Sequence, residues 1–399
     1  MKLIYADPNP IPGTVPAALQ MLQTVDALGE TGIDVDVISP QVRNGTTPSQ
    51  ILAREISPQV SLHYLPDIRK RWFFPLASHR PYFFLAGRWI RRHRADAMIV
   101  RNLKLADYLL RLPHMPPLFF ESHELHAQTF RESHPAATRS QRKKLALLEC
   151  RERFVYHHAH GIVALTPYLL DDIRTHYGTP VSTLVAPDGV DLRLAASAAA
   201  GPDTHPRLLY LGSLHPWKGV EVLLEALVQL PQASLRIVGG SDVRIRELQQ
   251  LAARLGVGDR TEFAGPVAPA QRFEVIADAQ ICLLPSTDTS IGGRYTSPLK
   301  LFEYMAMGKP VVAGNLPAMR GVLQHGRNAL LAEPGSPRAF ADCIRALLGN
   351  PLLGRSLGEQ ARYDARAYCW TRRAEHIGSF VGYVLNRSVV RSPYSYYGA

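Results

Sequence analysis

The sequence predicts an α/β protein built from two doubly wound parallel sheets in tandem. Three observations carry this. Short β-rich runs alternate with longer helical patterns along the chain. Several of those runs are almost wholly apolar, as strands buried on both faces are. A stretch rich in Ala, Gly, Pro and Asp, residues 186–206, separates two such series and reads as a linker. At 399 residues the chain is long enough for two domains, each with its own core.

In the first series the strands are KLIYA, DVDVIS, SLHYL, AMIVRN, LFFESHE, GIVALT and STLVAP, with helical stretches at 16–30 and 139–157. The second series has RLLYLGS, SLRIVGG, TEFAGP, QICLLPS, PVVAG and ALLAEP. Three helical patterns close the chain, the last around 370–385, and the tail RSPYSYYGA has no period. The expected division is a first domain over 1–190, a second over 191–375, and a segment 376–399 packing back toward the first. Ligands of such sheets bind beyond the strand C-termini. A ligand is therefore expected in the cleft between the domains.

Composition narrows the function. Apolar content of 46% and charged content of 20% are ordinary for a globular protein. The four cysteines, at 150, 282, 343 and 369, form no CxxC pair, which suits a reduced, cytoplasmic setting. The opening MKLIYADPNP reads as a strand running into a loop and lacks the apolar core of a signal peptide. No apolar run approaches the length of a membrane span, so the chain is expected to be soluble or attached to a membrane surface. A formal charge of +11 points to a polyanionic partner, either a phosphorylated substrate or an anionic membrane. Nucleic acid ranks last, because no RNP stretch, zinc finger or basic zipper is present.

Two segments of the second half suit phosphate. In YLGSLHPWKGVEVLLEAL a strand ends at Gly212-Ser213, and Lys218-Gly219 precede a helix. An ammonium beside a helix N-terminus and its free amides binds anions, whereas a solvated surface lysine is the plainer reading. The P-loop order is absent. In SPLKLFEYMAMGKPVVAG, Thr296 or Ser297 is expected to cap a helix, with Pro298 at its first position. Leu299, Phe302 and Ala306 form its apolar face. The preceding loop TSIGGRYTS has two glycines, which let backbone approach a ligand. Glu303 lies one turn in. A carboxylate there repels phosphate but accepts hydrogen bonds from sugar or ribose hydroxyls; alternatively it is a glutamate favoured by the helix dipole.

Other segments are less specific. FFESHELHAQ places Glu121, His123, Glu124 and His126 at a strand's C-terminal end. DPNPIPGTVPAALQ is not GxGxxG, which disfavours a nicotinamide or flavin site, although Gly13 leaves a backbone approach to phosphate open. YHHAHG holds three imidazoles, but no carboxylate or cysteine stands at metal-site spacing, so no metal is expected. RKRWFFPLASHRPYFFLAGRWIRRHR combines arginines with aromatics and has no acid. Arg69, Lys70, Arg71, Trp72, Arg88, Trp89, Arg91 and Arg92 make it a candidate membrane-surface segment. The other reading is a basic-faced helix with its aromatics in the core.

Taken together, these segments resemble glycosyltransferase family 4, retaining enzymes of the two-domain GT-B fold. GSLHPWKGVEVLLEAL is similar to the family's Gly-Arg-Leu…Lys-Gly element, SPLKLFEYMAMGKPVVAG to its Glu-Ala-Met-Ala-x-Gly-x-Pro-Val-Val-Ala element, VAPDGVD to its Val-Pro-Asn-Gly-Val-Asp linker, and the ESHE strand end to its His-bearing loop. The pairing of GSL…WKG with SPLKLFEYMA resembles one subgroup. The likeness is strong in the second half and weak before about Phe119.

The resemblance implies transfer of a sugar, of hexosyl type, from a UDP- or GDP-linked donor to a glycan, lipid-linked or small-molecule acceptor, with retention and no metal. It implies a role in cell-envelope polysaccharide synthesis at the inner face of the membrane. Lys218 would hold the donor diphosphate and Glu303 the ribose. Gly13 would approach the donor from the first domain, His123 would sit by the reacting carbon, and Val267 near the base. Two positions depart from the family. Tyr295 stands where a second Glu contacts the donor sugar, and Ser213 stands for the Arg beside the diphosphate lysine. Arg294 is a candidate for the missing charge, and by the resemblance Thr296, Ser297, Pro298 and Leu299 would line the donor. Two other functions remain open: a sugar-nucleotide epimerase of the same fold, and a non-catalytic nucleotide-sugar binder.

Overall fold

The computed structural model describes residues 1–13, 15–41, 47–69, 77–180, 182–198 and 207–390. The chain divides into two units. One holds residues 1–187 together with the helix Trp370–Val390, and the other holds residues 188–369. Each is a parallel sheet with helices on its faces, as the alternating pattern dictates.

The first unit carries β1 (Lys2–Ala6), β2 (Asp34–Pro40), β3 (Val60–Leu65), β4 (Ala97–Val100), β5 (Leu118–Ser122), β6 (Gly161–Ala164) and β7 (Thr183–Val185). Their order is β3-β2-β1-β4-β5-β6-β7, all parallel. The apolar strands β4 and β6 are buried at every position, which is why their sequences lack alternation. The helix Trp370–Val390 packs on the helix Pro16–Glu30. Its Arg373 Nη1 donates to the Thr24 hydroxyl at 3.1 Å. Phe380 meets Phe119 edge-on, with ring centroids 5.7 Å apart.

The second unit carries β8 (Arg207–Leu211), β9 (Ser234–Val238), β10 (Thr261–Gly265), β11 (Ile281–Leu284), β12 (Val311–Gly314) and β13 (Leu330–Ala332), in the order β10-β9-β8-β11-β12-β13. Chain order reverses between β8 and β11, as it does between β1 and β4 in the first sheet. Such reversals splay the following loops apart and open a crevice at the strand C-termini.

Several local expectations change. The strand expected at LFFESHE ends at Ser122, so His123 and Glu124 lie just past it. The expected linker is partly helical, over Leu192–Ser197, while residues 199–206 lie outside the described residues. The helix expected to be capped by Thr296 or Ser297 runs from Leu299 to Ala306 with Pro298 as its N-cap and no side-chain cap. Ser297 is engaged elsewhere: its Oγ accepts the Asp188 backbone N–H at 2.8 Å. That helix is also buried beyond its apolar face. Residues 300–306 are all buried, and Leu299, expected on the inner face, is only half-buried.

Candidate active site

In the second unit, β8 ends at Leu211 and leads through Gly212 to the 3-10 turn Pro216–Lys218. Across the reversal, β11 leads to the π-helical segment Ser290–Tyr295 and then to the helix Leu299–Ala306. The two loops are tied together. The Thr287 N–H and hydroxyl both donate to the Trp217 carbonyl, each at 3.0 Å. Gly219 adopts φ +68°, and a Cβ there would stand 2.2 Å from the Pro285 carbonyl oxygen, so only glycine lets these loops close together.

This edge gathers cations. Lys218 Nζ lies 3.7 Å above the Trp217 ring, and burial pushes its ammonium down to about 7. Glu303 is 4% exposed, and its Oε1 pairs with Arg272 Nη2 at 2.9 Å. The Arg272 Nε and Nη1 are buried without a hydrogen-bond partner, and so is Lys300 Nζ. Burial, together with nearby Lys218, pushes the Lys300 ammonium well below its usual range, against the pull of Glu303. Neither Arg272 nor Lys300 stands out in the sequence. A lysine three residues before a glutamate reads as a solvated helix pair, and Arg272 reaches Glu303 from the start of a separate helix, Arg272–Ala277.

The other expected donor residues are placed as follows. Ser213 is half-buried, and its carbonyl accepts from the Tyr210 hydroxyl at 2.6 Å. Arg294 and Thr296 are half-buried, as is Pro298. Tyr295 is 1% exposed and therefore packed inward. Val267 follows the edge strand β10 and packs half-buried against the core.

In the first unit, Glu121 on β5 is the centre of a buried polar cluster. It accepts from Tyr5 (3.0 Å), Gln20 (2.7 Å), His123 (3.0 Å) and Arg373 (2.7 Å). Burial alone would raise its carboxyl, but Arg373 and the hydrogen bond from His123 hold it well below the usual carboxylate range. Burial and then Arg101 lower His123 to about 4, against the pull of Glu121. The neutral ring donates Nε2–H to Glu121, which leaves Nδ1 as an acceptor. Gly13 is half-buried; a Cβ there would stand 2.9 Å from the Ala18 Cβ, so the loop lies close on its helix.

The basic segment is divided. Lys70, Arg71 and Trp72 lie outside the described residues. Arg69 is held by Asp67, at 2.8 and 2.9 Å. The helix Arg80–Ile90 buries Tyr82 and Phe83 but exposes Phe84 and Arg88, with Arg91 and Arg92 exposed just beyond it. Trp89 is half-buried and stacks on His93 at 3.6 Å. Among the described residues, no group of three or more His, Cys, Asp or Glu could hold a metal ion, and no helix is long and apolar enough to cross a membrane.

Residues 17–189 match the family described as "Glycosyl transferase 4-like domain", and residues 205–350 match "Glycosyl transferases group 1". Between them the two matches span most of the chain, which belongs to the glycosyltransferases of GT-B fold. The chain is 32% identical over 247 residues to D-inositol 3-phosphate glycosyltransferase of Geodermatophilus obscurus, covering 57% of this chain and 53% of that protein. It is 25% identical over 287 residues to the enzyme of the same name from Corynebacterium diphtheriae, covering 67% and 65%. The alignments thus span about half to two thirds of these relatives' length. Among solved structures, sucrose-phosphate synthase of Thermosynechococcus elongatus superposes with a TM-score of 0.77 at 20% identity, over 98% of this chain and 99% of that one. Anabaena Alr3699/HepE in complex with UDP-glucose gives 0.74 at 18% identity, over 96% and 100%.

Proposed function

We propose that the protein transfers a sugar from a nucleoside-diphosphate sugar to an acceptor hydroxyl, with retention of anomeric configuration. The observation that carries this is the convergence, at the reversal between β8 and β11, of buried Lys300 and half-buried Lys218 and Arg272 with a carboxylate that has one oxygen to spare. Lys218 neutralises the diphosphate as it leaves, where charge grows in the transition state. Glu303 gives Oε1 to Arg272 and offers Oε2 to the ribose hydroxyls. Ser213, Val267, Arg294 and residues 296–299 line the donor. In the first unit, Gly13 serves the donor and His123 the reacting carbon. The C1–O bond to phosphate breaks through an oxocarbenium-like state, the acceptor oxygen bonds C1 from the same face, and the departing phosphate oxygen takes the acceptor proton.

The complexes of Alr3699/HepE with UDP and UDP-glucose favour a UDP-linked donor, and the inositol-phosphate relatives favour a polar, hydroxyl-rich acceptor. The test is a melting-temperature screen of UDP- and GDP-sugars followed by mass spectrometry of products. Stabilisation with neither transfer nor hydrolysis would favour the non-catalytic binder, a reading that the inward-packed Tyr295 keeps open. Epimerised free donor would favour the epimerase.

The exposed Phe84, Arg88, Arg91 and Arg92 support working at the cytoplasmic face of an anionic membrane. Vesicles containing phosphatidylserine should float the protein at low salt and release it at high salt. Failure to float at either salt concentration removes the membrane role.

A further inference from the structure

We propose that Lys300 is the second cation for the donor diphosphate, occupying from a different element the place left by Ser213. This rests on the nucleotide-sugar reading above and adds a residue to it. Lys300 is 9% exposed, and among the described residues its Nζ has no hydrogen-bond acceptor. Nζ lies 3.6 Å over the Tyr210 ring, and a Cβ added at Gly212 would stand 3.4 Å from it. The second position of the helix thus delivers a charge to the C-terminal end of β8, the strand end that carries Ser213.

A ring face compensates a buried cation only in part, because it offers no acceptor for the three N–H groups. The charged neighbours do not complete the shell. Lys218 repels Lys300, and Glu303 attracts it but already holds Arg272 through Oε1. With both lysines protonated, the state that a bound anion favours, these four side chains hold three positive charges and one negative, a surplus of two. A nucleoside diphosphate esterified to a sugar carries two negative charges on its phosphates, which matches the surplus. Its non-bridging oxygens supply the acceptors that Lys300 Nζ lacks. Retaining a lysine buried and unpaired lowers the stability of the free protein, so the residue is explained by an anion it meets when the site is filled.

The experiment compares wild type with Lys300→Met, which keeps the apolar stem, and with Lys300→Gln, which keeps a hydrogen-bond donor. Calorimetric titrations use UDP, GDP, inorganic pyrophosphate, uridine and guanosine, and melting temperatures are taken without ligand. The expected result for Lys300→Met is at least a tenfold loss of affinity for the diphosphate that wild type binds best, nucleoside affinity within twofold of wild type, and an unliganded melting temperature equal to wild type or higher. Lys300→Gln should fall between the two. If wild type binds one of the diphosphates and Lys300→Met binds it as well, the assignment of Lys300 is overturned while the donor reading stands. Equal losses for diphosphate and nucleoside, or a lower melting temperature with diphosphate affinity retained, make Lys300 a packing residue. If wild type binds none of the five probes, the donor reading falls and this inference with it.

Discussion

Each unit places charged side chains near the C-terminal ends of its strands, but the two clusters are completed differently. At the end of β5, Glu121 accepts from four donors, and its neighbour His123 is held neutral. Every charge in that contact has a counterpart within the protein. At the end of β8 and on the helix after β11, Lys300 has no hydrogen-bond partner, Arg272 leaves two nitrogens unbonded, and burial alone depresses Lys218. A polar cluster closed on itself fixes geometry. A cluster left short of anions suits the donor site proposed above. The same cost of burying charge is met inside the protein in the first unit and, in the proposed reading, by the bound donor in the second.

The sharpest way to break this comparison is to open the closed cluster. Arg373 is 3% exposed in its side chain and Glu121 1%. Replacing Arg373 by Met should destabilise the first unit by about 3–5 kcal/mol, the usual cost of stranding one partner of a buried ion pair. Urea unfolding followed on that unit checks this. A change below about 1 kcal/mol would mean that Tyr5, Gln20 and His123 suffice to hold the carboxylate.

Next in size is Lys218→Ala. Its loss should cut turnover on the order of a hundredfold or more, as losing an oxyanion donor does, while unliganded stability holds or rises. Because Lys218 titrates at about 7 in the free protein, diphosphate affinity should decline as pH rises above 7, where binding must first protonate the amine. Calorimetry in buffers of different ionisation enthalpy would then show proton uptake. Affinity flat from pH 6 to 9 would remove the lysine from the phosphate contact.

Glu303→Gln is expected to be milder. The amide oxygen still accepts from Arg272, so the helix stays in place, but ribose loses a charged acceptor worth about 1–3 kcal/mol of donor binding. Normal donor affinity in this variant would leave Glu303 as the counter-ion of Arg272 and nothing more.

The closed cluster also carries a pH dependence. The folded-state pKa of His123, about 4, lies below its unfolded value near 6.5. The unfolded chain therefore binds the proton first, and stability is lost as pH falls from about 6.5 to 4. Asp7 works in the opposite direction over part of this range, because burial raises it to about 6. The clean measurement is the stability difference between wild type and His123→Gln, which should move against wild type as pH falls through that window. A constant difference would mean that the imidazole is not buried as described.

The order of the strands' appearance was legible because strands buried on both faces read as apolar runs, and β4 and β6 are unmistakable in that respect. Lys218 and Glu303 stood out because each follows a strand and sits at or near a helix start. Lys300 did not, since period alone assigns a lysine beside Leu301 and Phe302 no particular side, and its burial depends on Tyr210 beneath it. Glu121 was visible as a strand-end acid, but its partners Tyr5, Gln20 and Arg373 are 116, 101 and 252 residues away in sequence. The helix start was misplaced for a similar reason. Ser297 is a good cap by type, yet its oxygen is occupied by the N–H of Asp188.

The helix Trp370–Val390 belongs to the first unit although the whole second unit precedes it in the chain. During synthesis, then, the second unit is fully made while the first still lacks its last helix. Ribosomes add about 5–20 residues per second, so residues 188–369 take roughly 10–40 s to emerge. Throughout that interval Glu121 waits without Arg373, and Phe119 without Phe380. The part of the protein made first is the part finished last, and the nascent chain carries an incomplete amino-terminal sheet while its later half is free to fold.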